Sequence, residues 1–169
     1  DTISSFIHMY ADDTKMSRVV NGKQDWKELQ QDLESLQKWS DEWQLKFNST
    51  KCKIMHLGKE NRKHKYTMME NDNVLTLEET EEEKDLGVWT DNELKFVRHI
   101  ENAASKSNQI LGLKKRSFVY KNGEVMKELF TSLVRPILEY GNVVWYPRYN
   151  KDAVKLERVQ RRATKMIQG

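Results

Sequence analysis

Cysteine and proline are scarce in this chain, and long apolar runs are missing. Cys52 is the single cysteine among 169 residues, which excludes an internal disulfide framework and fits a reducing compartment. No apolar stretch approaches the roughly 18 residues that a membrane-crossing helix needs, and no signal-like segment is present, so neither insertion nor secretion is expected. An intracellular setting, nuclear or cytoplasmic, is the expectation. The two prolines, Pro136 and Pro147, both fall late, where each is expected to break or end a helix. Hydrophobic residues make up 37% of the chain and charged ones 33%, a low apolar share for a globular protein. Five tryptophans still supply material for a core. The length suits one compact domain or a two-lobed piece of a larger one, and the start at Asp1 reads as an excerpt of a longer protein. No internal repeat or low-complexity tract is visible.

The net charge of +3 is unevenly spread. Residues 1 to 57 carry 8 basic and 9 acidic side chains, residues 58 to 98 carry 7 and 11, and residues 99 to 169 carry 14 and 6. The last segment is therefore +8, as suits a surface that faces a polyanion.

Near the start, Ser5-Phe6-Ile7-His8-Met9-Tyr10-Ala11-Asp12-Asp13-Thr14-Lys15-Met16 is an apolar run broken by two adjacent carboxylates. The β-branched and aromatic residues from Ile3 to Tyr10, with Thr14 to Val20 able to pair back, predict a hairpin with the two aspartates at its tip. Paired carboxylates beside an apolar strand repel each other, which a hard cation such as magnesium relieves. A plain surface turn, which aspartate also favours, is the alternative.

Asn21-Gly22 ends that pattern, and Asp25 with Glu28 three residues on predicts a helix start. Trp26, Leu29, Leu33, Leu36 and Trp43 hold one face with Trp39 at its border, a packing stripe. A strand is expected from Lys51 to Leu57, with Cys52, Ile54 and His56 on one side. Those three with His64 are thinkable zinc donors, but scattered donors without a fourth fit a tetrahedral site poorly. A charged loop, two short strands at 66 to 69 and 74 to 77, an acidic connector from Glu78 to Glu83, and a strand from Lys84 to Asp91 with Gly87 in its middle follow. A mid-strand glycine marks close approach by another backbone or a ligand.

The remainder reads as helical. Phe96, Ile100, Ala103, Ser107 and Leu111 share a face on a helix ending near Gly112. Asn122 is expected to cap a second helix, whose apolar residues Val125, Met126, Leu129, Phe130, Leu133 and Val134 spread widely enough to suggest burial. Ile137 to Trp145 should continue as helix, and Asn150 should cap the last. On that last helix Leu156, Val159, Ala163 and Ile167 form an apolar face, while Lys155, Arg158, Arg162 and Lys165 form a basic ridge. Such a ridge gives salt-sensitive, sequence-independent affinity for nucleic acid, or is an ordinary solvated face.

The order of these blocks carries a resemblance. Tyr10-Ala11-Asp12-Asp13-Thr14-Lys15, the Trp/Leu-striped helix, Leu45-Lys46-Phe47-Asn48 with Lys51-Cys52-Lys53, and Asp85-Leu86-Gly87-Val88 come in turn. Ser132-Leu133-Val134-Arg135-Pro136-Ile137-Leu138-Glu139-Tyr140-Gly141 and Gln160-Arg161-Arg162-Ala163-Thr164-Lys165 follow. Together they resemble the second half of the reverse transcriptase of non-LTR (LINE-type) retrotransposons, over essentially the whole chain. The resemblance implies two magnesium ions (Mg2+) that activate a primer hydroxyl and hold nucleotide phosphates. It assigns Asp12 as metal ligand, Asp13 as supporting carboxylate, and Lys51 as the lysine assisting the leaving pyrophosphate. Tyr10 would lie beneath the template–primer or brace the hairpin, and Leu86, Gly87 and Val88 would set the primer end. Its partners would be an RNA template, a DNA primer and deoxynucleotides.

The same comparison shows what is missing. The further palm aspartate, the fingers and the nucleotide-binding block precede the Asp-Asp box in that family, and nine residues precede Tyr10 here. The isolated chain is therefore expected not to polymerise. The expected fold is α+β: a partial polymerase palm over residues 1 to 94, one helix packed on a small antiparallel sheet, then a helical, basic, thumb-like domain over 95 to 169. An exposed sheet edge is expected to favour self-association.

Overall fold

The computed structural model describes residues 3–71, 73–117 and 123–168. The architecture is α+β, in two compact units, Asp1–Glu81 and Glu82–Gly169. Among the described residues, no helix is long and apolar enough to cross a membrane.

In the first unit, β1 (Phe6–Tyr10) and β2 (Asp13–Ser17) form the expected antiparallel hairpin, paired from Phe6↔Ser17 to Tyr10↔Asp13. Helix α1 (Lys23–Glu42) begins earlier than expected, at the Gly22 cap. Asp25 still serves the helix start, but from inside it: its carboxylate accepts the N–H groups of Asn21 at 2.9 Å and Gly22 at 3.0 Å. Those donors lack intrahelical partners, and a carboxylate there also suits the helix dipole.

Strand β3 is only Lys53–Ile54, against an expected run from 51 to 57. The cause is local, since the N–H groups of Lys51 and Cys52 both turn back to the Asn48 carbonyl. β4 (Thr67–Glu70) and β5 (Asn73–Thr76) make the second expected hairpin. β6 (Glu78–Glu79) lies inside the presumed acidic connector and pairs in parallel with β3. The expected single antiparallel sheet is thus absent among the described residues, replaced by separate two-stranded ribbons. Strands of only two to five residues bury too little apolar surface to merge.

The core of this unit is where α1 covers β4. Tyr66, Met68 and Leu77 are buried beneath Trp26, Leu29 and Leu33, with Phe47, Cys52 and Ile54 packed alongside. Two glutamines of α1 then complete the edge of β4. The Gln30 amide exchanges two hydrogen bonds with the Thr67 backbone at 3.0 Å, and the Gln37 carbonyl oxygen accepts Met69 N–H at 2.9 Å. Trp43 leaves the stripe: it caps the helix C-terminus and is exposed, its ring 6.5 Å from that of Trp39.

In the second unit, β7 (Glu82–Asp85) and β8 (Val88–Asp91) form a hairpin where one strand was expected. Leu86 and Gly87 turn the chain, both at positive φ, as the I′ kind of two-residue hairpin turn requires. The boundary between units accordingly falls ahead of β7 and not near residue 94, because this hairpin packs with the helices that follow it.

Helix α2 (Val97–Ser117) runs through Gly112, which does not cap it. The Asn122 cap lies outside the described residues. α3 (Gly123–Leu129) passes into a π-helical turn over Phe130–Val134 before α4 (Arg135–Glu139) restarts. Pro136, placed in the first turn of α4 and lacking an N–H, explains that interruption. Met126, Val134 and Leu138 are buried, but Val125 and Leu133 are exposed, so this segment is not sunk on all sides.

Gly141 does not continue a helix; at φ +66° it starts α5 (Asn142–Trp145). α6 (Asn150–Gln168) takes its first carbonyl acceptor from Tyr149, not from an Asn150 cap. Two clusters hold the unit: Leu111, Val134, Leu138, Val159 and Ala163, and Val88, Phe96, Ile100 and Trp145. The α6 apolar face lies as expected for Leu156, Val159 and Ala163, whereas the Ile167 side chain lies outside the described residues.

Candidate functional site

The two-residue turn of this hairpin falls one residue earlier than the expected Asp-Asp tip, with Asp13 already the first residue of β2. Tyr10 and Asp13 are the last paired residues, leaving Ala11 and Asp12 to reverse the chain, with Ala11 at φ +52°. An alanine in that region costs about 1 kcal/mol relative to glycine. Asp12, Asp13 and Tyr10 are all exposed. The tip therefore presents two neighbouring carboxylates to solvent on a strained turn.

The base of the hairpin is fixed to α1 by Asp32, a residue the sequence pattern does not single out. Asp32 is 6% exposed and accepts four hydrogen bonds from two serines: Ser4 N–H at 3.2 Å, Ser4 hydroxyl at 3.1 Å, Ser5 N–H at 2.8 Å and Ser5 hydroxyl at 2.6 Å. Arg18 from the end of β2 reaches the same carboxylate at 3.5 Å and pairs with Glu28. Burial raises the Asp32 carboxyl, but the serine donors outweigh it and hold the group below the usual carboxylate range.

A magnesium ion is the group the Asp-Asp pair brings to mind. Two exposed carboxylates supply part of an octahedral oxygen shell, the rest of which must come from phosphate, water or further acids. Among the described residues, no cluster of three or more His, Cys, Asp or Glu stands where it could hold a metal. The residues present do not fit a self-contained magnesium site. Lys51 is exposed in the turn before β3, and no hydrogen bond or ion pair among the described residues joins it to Asp12 or Asp13. Among the described residues the zinc alternative also finds no donor cluster: Cys52 packs in the core, which raises its thiol, and His56 is buried with its ring 6.3 Å from Tyr66.

In the second unit, Leu86-Gly87-Val88 and Glu139-Tyr140-Gly141 come together. Tyr140 donates its hydroxyl to the Leu86 carbonyl at 2.8 Å. A Cβ on Gly87 would stand 3.2 Å from the Tyr140 ring, and one on Gly141 would stand 3.1 Å from Val88. Each glycine also has a positive φ, so side chains are excluded there twice over. The close approach expected at Gly87 is thus made by an aromatic ring of the same unit. Val88 is 6% exposed, which removes its side chain from any direct contact with a primer, while Leu86 remains exposed.

Asp91 closes the hairpin onto α2. Its carboxylate accepts N–H groups of Glu93 at 3.0 Å, Lys95 at 3.1 Å and Phe96 at 2.5 Å, ordering a loop in which Leu94 and Phe96 have positive φ. Arg98 lies 3.5 Å over the Trp89 ring and pairs with Glu82.

On α6 the basic ridge is rearranged. Lys155 is committed to Glu101 at 2.7 Å and the buried Asp152 at 3.2 Å; Glu101 first, then Asp152, hold its ammonium above the ordinary value. The cationic surface proper is an open groove lined by Arg158, Arg161, Arg162, Lys165 and Met166. Arg161 falls outside the three-four-three spacing of the expected ridge, yet it lines the groove with its side chain 74% exposed and 2.9 Å from Glu157. Arg162 donates to Asn108 at 3.0 Å, which orients it and leaves other guanidinium donors over.

The chain matches no family model, no curated protein and no solved structure.

Proposed function

We propose that this chain is part of an RNA-directed DNA polymerase of the non-LTR retrotransposon type, unable by itself to extend a primer. The observation that carries the reading is the Tyr10–Asp13 turn: two carboxylates on a strained reversal whose base is anchored to α1 through Asp32. Anchoring restricts the tip, and restriction is what a carboxylate pair needs to act on a cation held mainly by nucleotide phosphate. In this reading Asp12 and Asp13 are the metal-facing groups of the parent enzyme, Lys51 assists its leaving group, and a palm sheet is completed elsewhere. RNA template, DNA primer and deoxynucleotides are the substrates.

Template–primer extension with magnesium and four deoxynucleotides tests it in two arms. The isolated chain gives no processive product. A translated frame extended upstream of Asp1 gives product that falls at least about 10²-fold on Asp12→Ala. Product from the isolated chain that vanishes on Asp12→Ala would overturn the inactivity, and an upstream-extended frame without Asp12-dependent extension would overturn the polymerase reading.

The α6 groove favours a second reading, a non-catalytic module that binds nucleic acid. Each phosphate contact releases a counterion, so binding to an RNA–DNA hybrid should fall linearly with log salt. Arg158→Ala with Arg162→Ala lowers that slope by about two. An unchanged slope removes the groove from the account.

A further inference from the structure

The hairpin β1–β2 is a two-stranded ribbon whose outer edges meet no third strand among the described residues. We propose that the free edge of β1 pairs, antiparallel, with the same edge of a second copy of this chain, centred on His8. The inference competes with the polymerase reading for this edge, since a palm sheet completed by other strands would cover it, and it rests on the register of the hairpin.

A two-residue turn makes Tyr10 and Asp13 a hydrogen-bonded pair, and the bonding alternates along the strands. Phe6, His8 and Tyr10 therefore direct their backbone groups to β2, while Ile7 and Met9 direct N–H and C=O outward. Edges of this kind are normally guarded by charge, proline or a bulge. β2 carries Asp13 and Lys15, whereas β1, Phe-Ile-His-Met-Tyr, has no acidic residue, lysine, arginine or proline and pairs regularly over its length.

The outward groups also choose the register. Pairing centred on His8 sets Ile7 opposite Met9 of the second copy and Met9 opposite its Ile7, so both outward residues exchange both bonds. Pairing centred on Ile7 would need Ser5, whose N–H is already given to Asp32 at 2.8 Å. Pairing centred on Met9 would run Ile7 against Ala11, which is in the turn at positive φ. A slip of one residue sets outward groups against inward ones. In the His8 register, Phe6 and Tyr10, 69% and 66% exposed, face each other across the twofold axis on one face of the sheet. Aromatic cross-strand pairs of that kind stabilise sheets, and the product is a closed isologous dimer with a four-stranded antiparallel sheet.

The test uses single cysteines in a Cys52→Ser background under mild oxidation. His8→Cys places the two sulfurs in a directly opposed, non-hydrogen-bonded pair with Cα atoms about 4.5 Å apart, within disulfide reach. Linked dimer is expected from it and not from Phe6→Cys, whose counterpart lies several residues away along the strands. In analytical ultracentrifugation the unmodified chain is a dimer, His8→Lys weakens it about fivefold by opposing like charges, and an equimolar mixture of His8→Lys and His8→Glu restores it. His8 is exposed, so circular dichroism of these variants should match the parent. A monomer at about 100 μM overturns the proposal, leaving the edge to a strand of another protein, and so does equal cross-linking of Phe6→Cys and His8→Cys or an unchanged affinity of His8→Lys.

Discussion

Trp145→Ala lowers the stability of the second unit by about 3–5 kcal/mol, the range for removing a buried tryptophan. Trp145 is 1% exposed and packs with Val88, Phe96 and Ile100, so a cavity opens where a hairpin, a helix start and α5 converge. Its indole N–H donates to the Tyr140 carbonyl at 2.6 Å, and that same tyrosine holds Leu86 through its hydroxyl. The loss therefore spreads beyond the cavity, from α5 through Tyr140 to the β7–β8 turn. Trp145→Phe keeps most of the apolar contact and loses the hydrogen bond, and should cost less. Urea unfolding followed by circular dichroism gives both numbers. A second readout is His99, whose ring lies 4.7 Å from the indole and whose Nδ1 accepts the Trp89 N–H at 3.3 Å. Burial, with a smaller contribution from Lys106, holds its imidazole below the ordinary value. With the indole removed, His99 should titrate closer to an ordinary histidine by NMR. A cost under about 1 kcal/mol with His99 unmoved would show that Trp145 does not organise this unit.

What the sequence makes legible here follows from pattern strength. The β1–β2 hairpin could be read because apolar strand formers flank two turn-forming residues, and the α1 stripe because Trp26, Leu29 and Leu33 recur at helical spacing. The β7–β8 hairpin could not: Glu82-Glu83-Lys84-Asp85 has no apolar alternation, and a run of acids reads as a connector. Gly112 and Gly141 misled in opposite directions. Glycine is tolerated inside a long helix whose packing outweighs its propensity, whereas at Gly141 the left-handed backbone and the closeness of Val88 decide, which only the folded chain shows. At the candidate sites, Asp12 and Asp13 were legible as a pair. Arg161 was not, because a long side chain reaches a groove that residue spacing alone assigns to its neighbours. Lys155 was legible as a cation but not as a spent one, since Glu101 is 54 residues away in the chain.

Asp32 is the furthest from sequence legibility and the most consequential for the tip. It sits on the face of α1 that ought to be apolar or solvated, and its partners are 27 and 28 residues earlier. Asp32→Ala leaves the Ser4 and Ser5 donors without their acceptor and Arg18 without one of its two carboxylates. A hydrogen-bonded charged group of this kind is worth about 2–3 kcal/mol, and a two-stranded ribbon is marginal without tertiary support. The sign of the pH dependence follows from the depressed carboxyl. Its stabilisation is fully present above the ordinary carboxylate range and is lost as pH falls through that range to the lower folded value. The parent and Asp32→Ala should thus differ most near neutrality and converge on acidification in urea titrations across pH. A difference that persists unchanged into acid would mean that the carboxylate charge is not what holds the hairpin. Should they converge, the Asp12–Asp13 tip is positioned by an ion of the same sign buried at the other end of its own ribbon. Acid would then release the tip from its base.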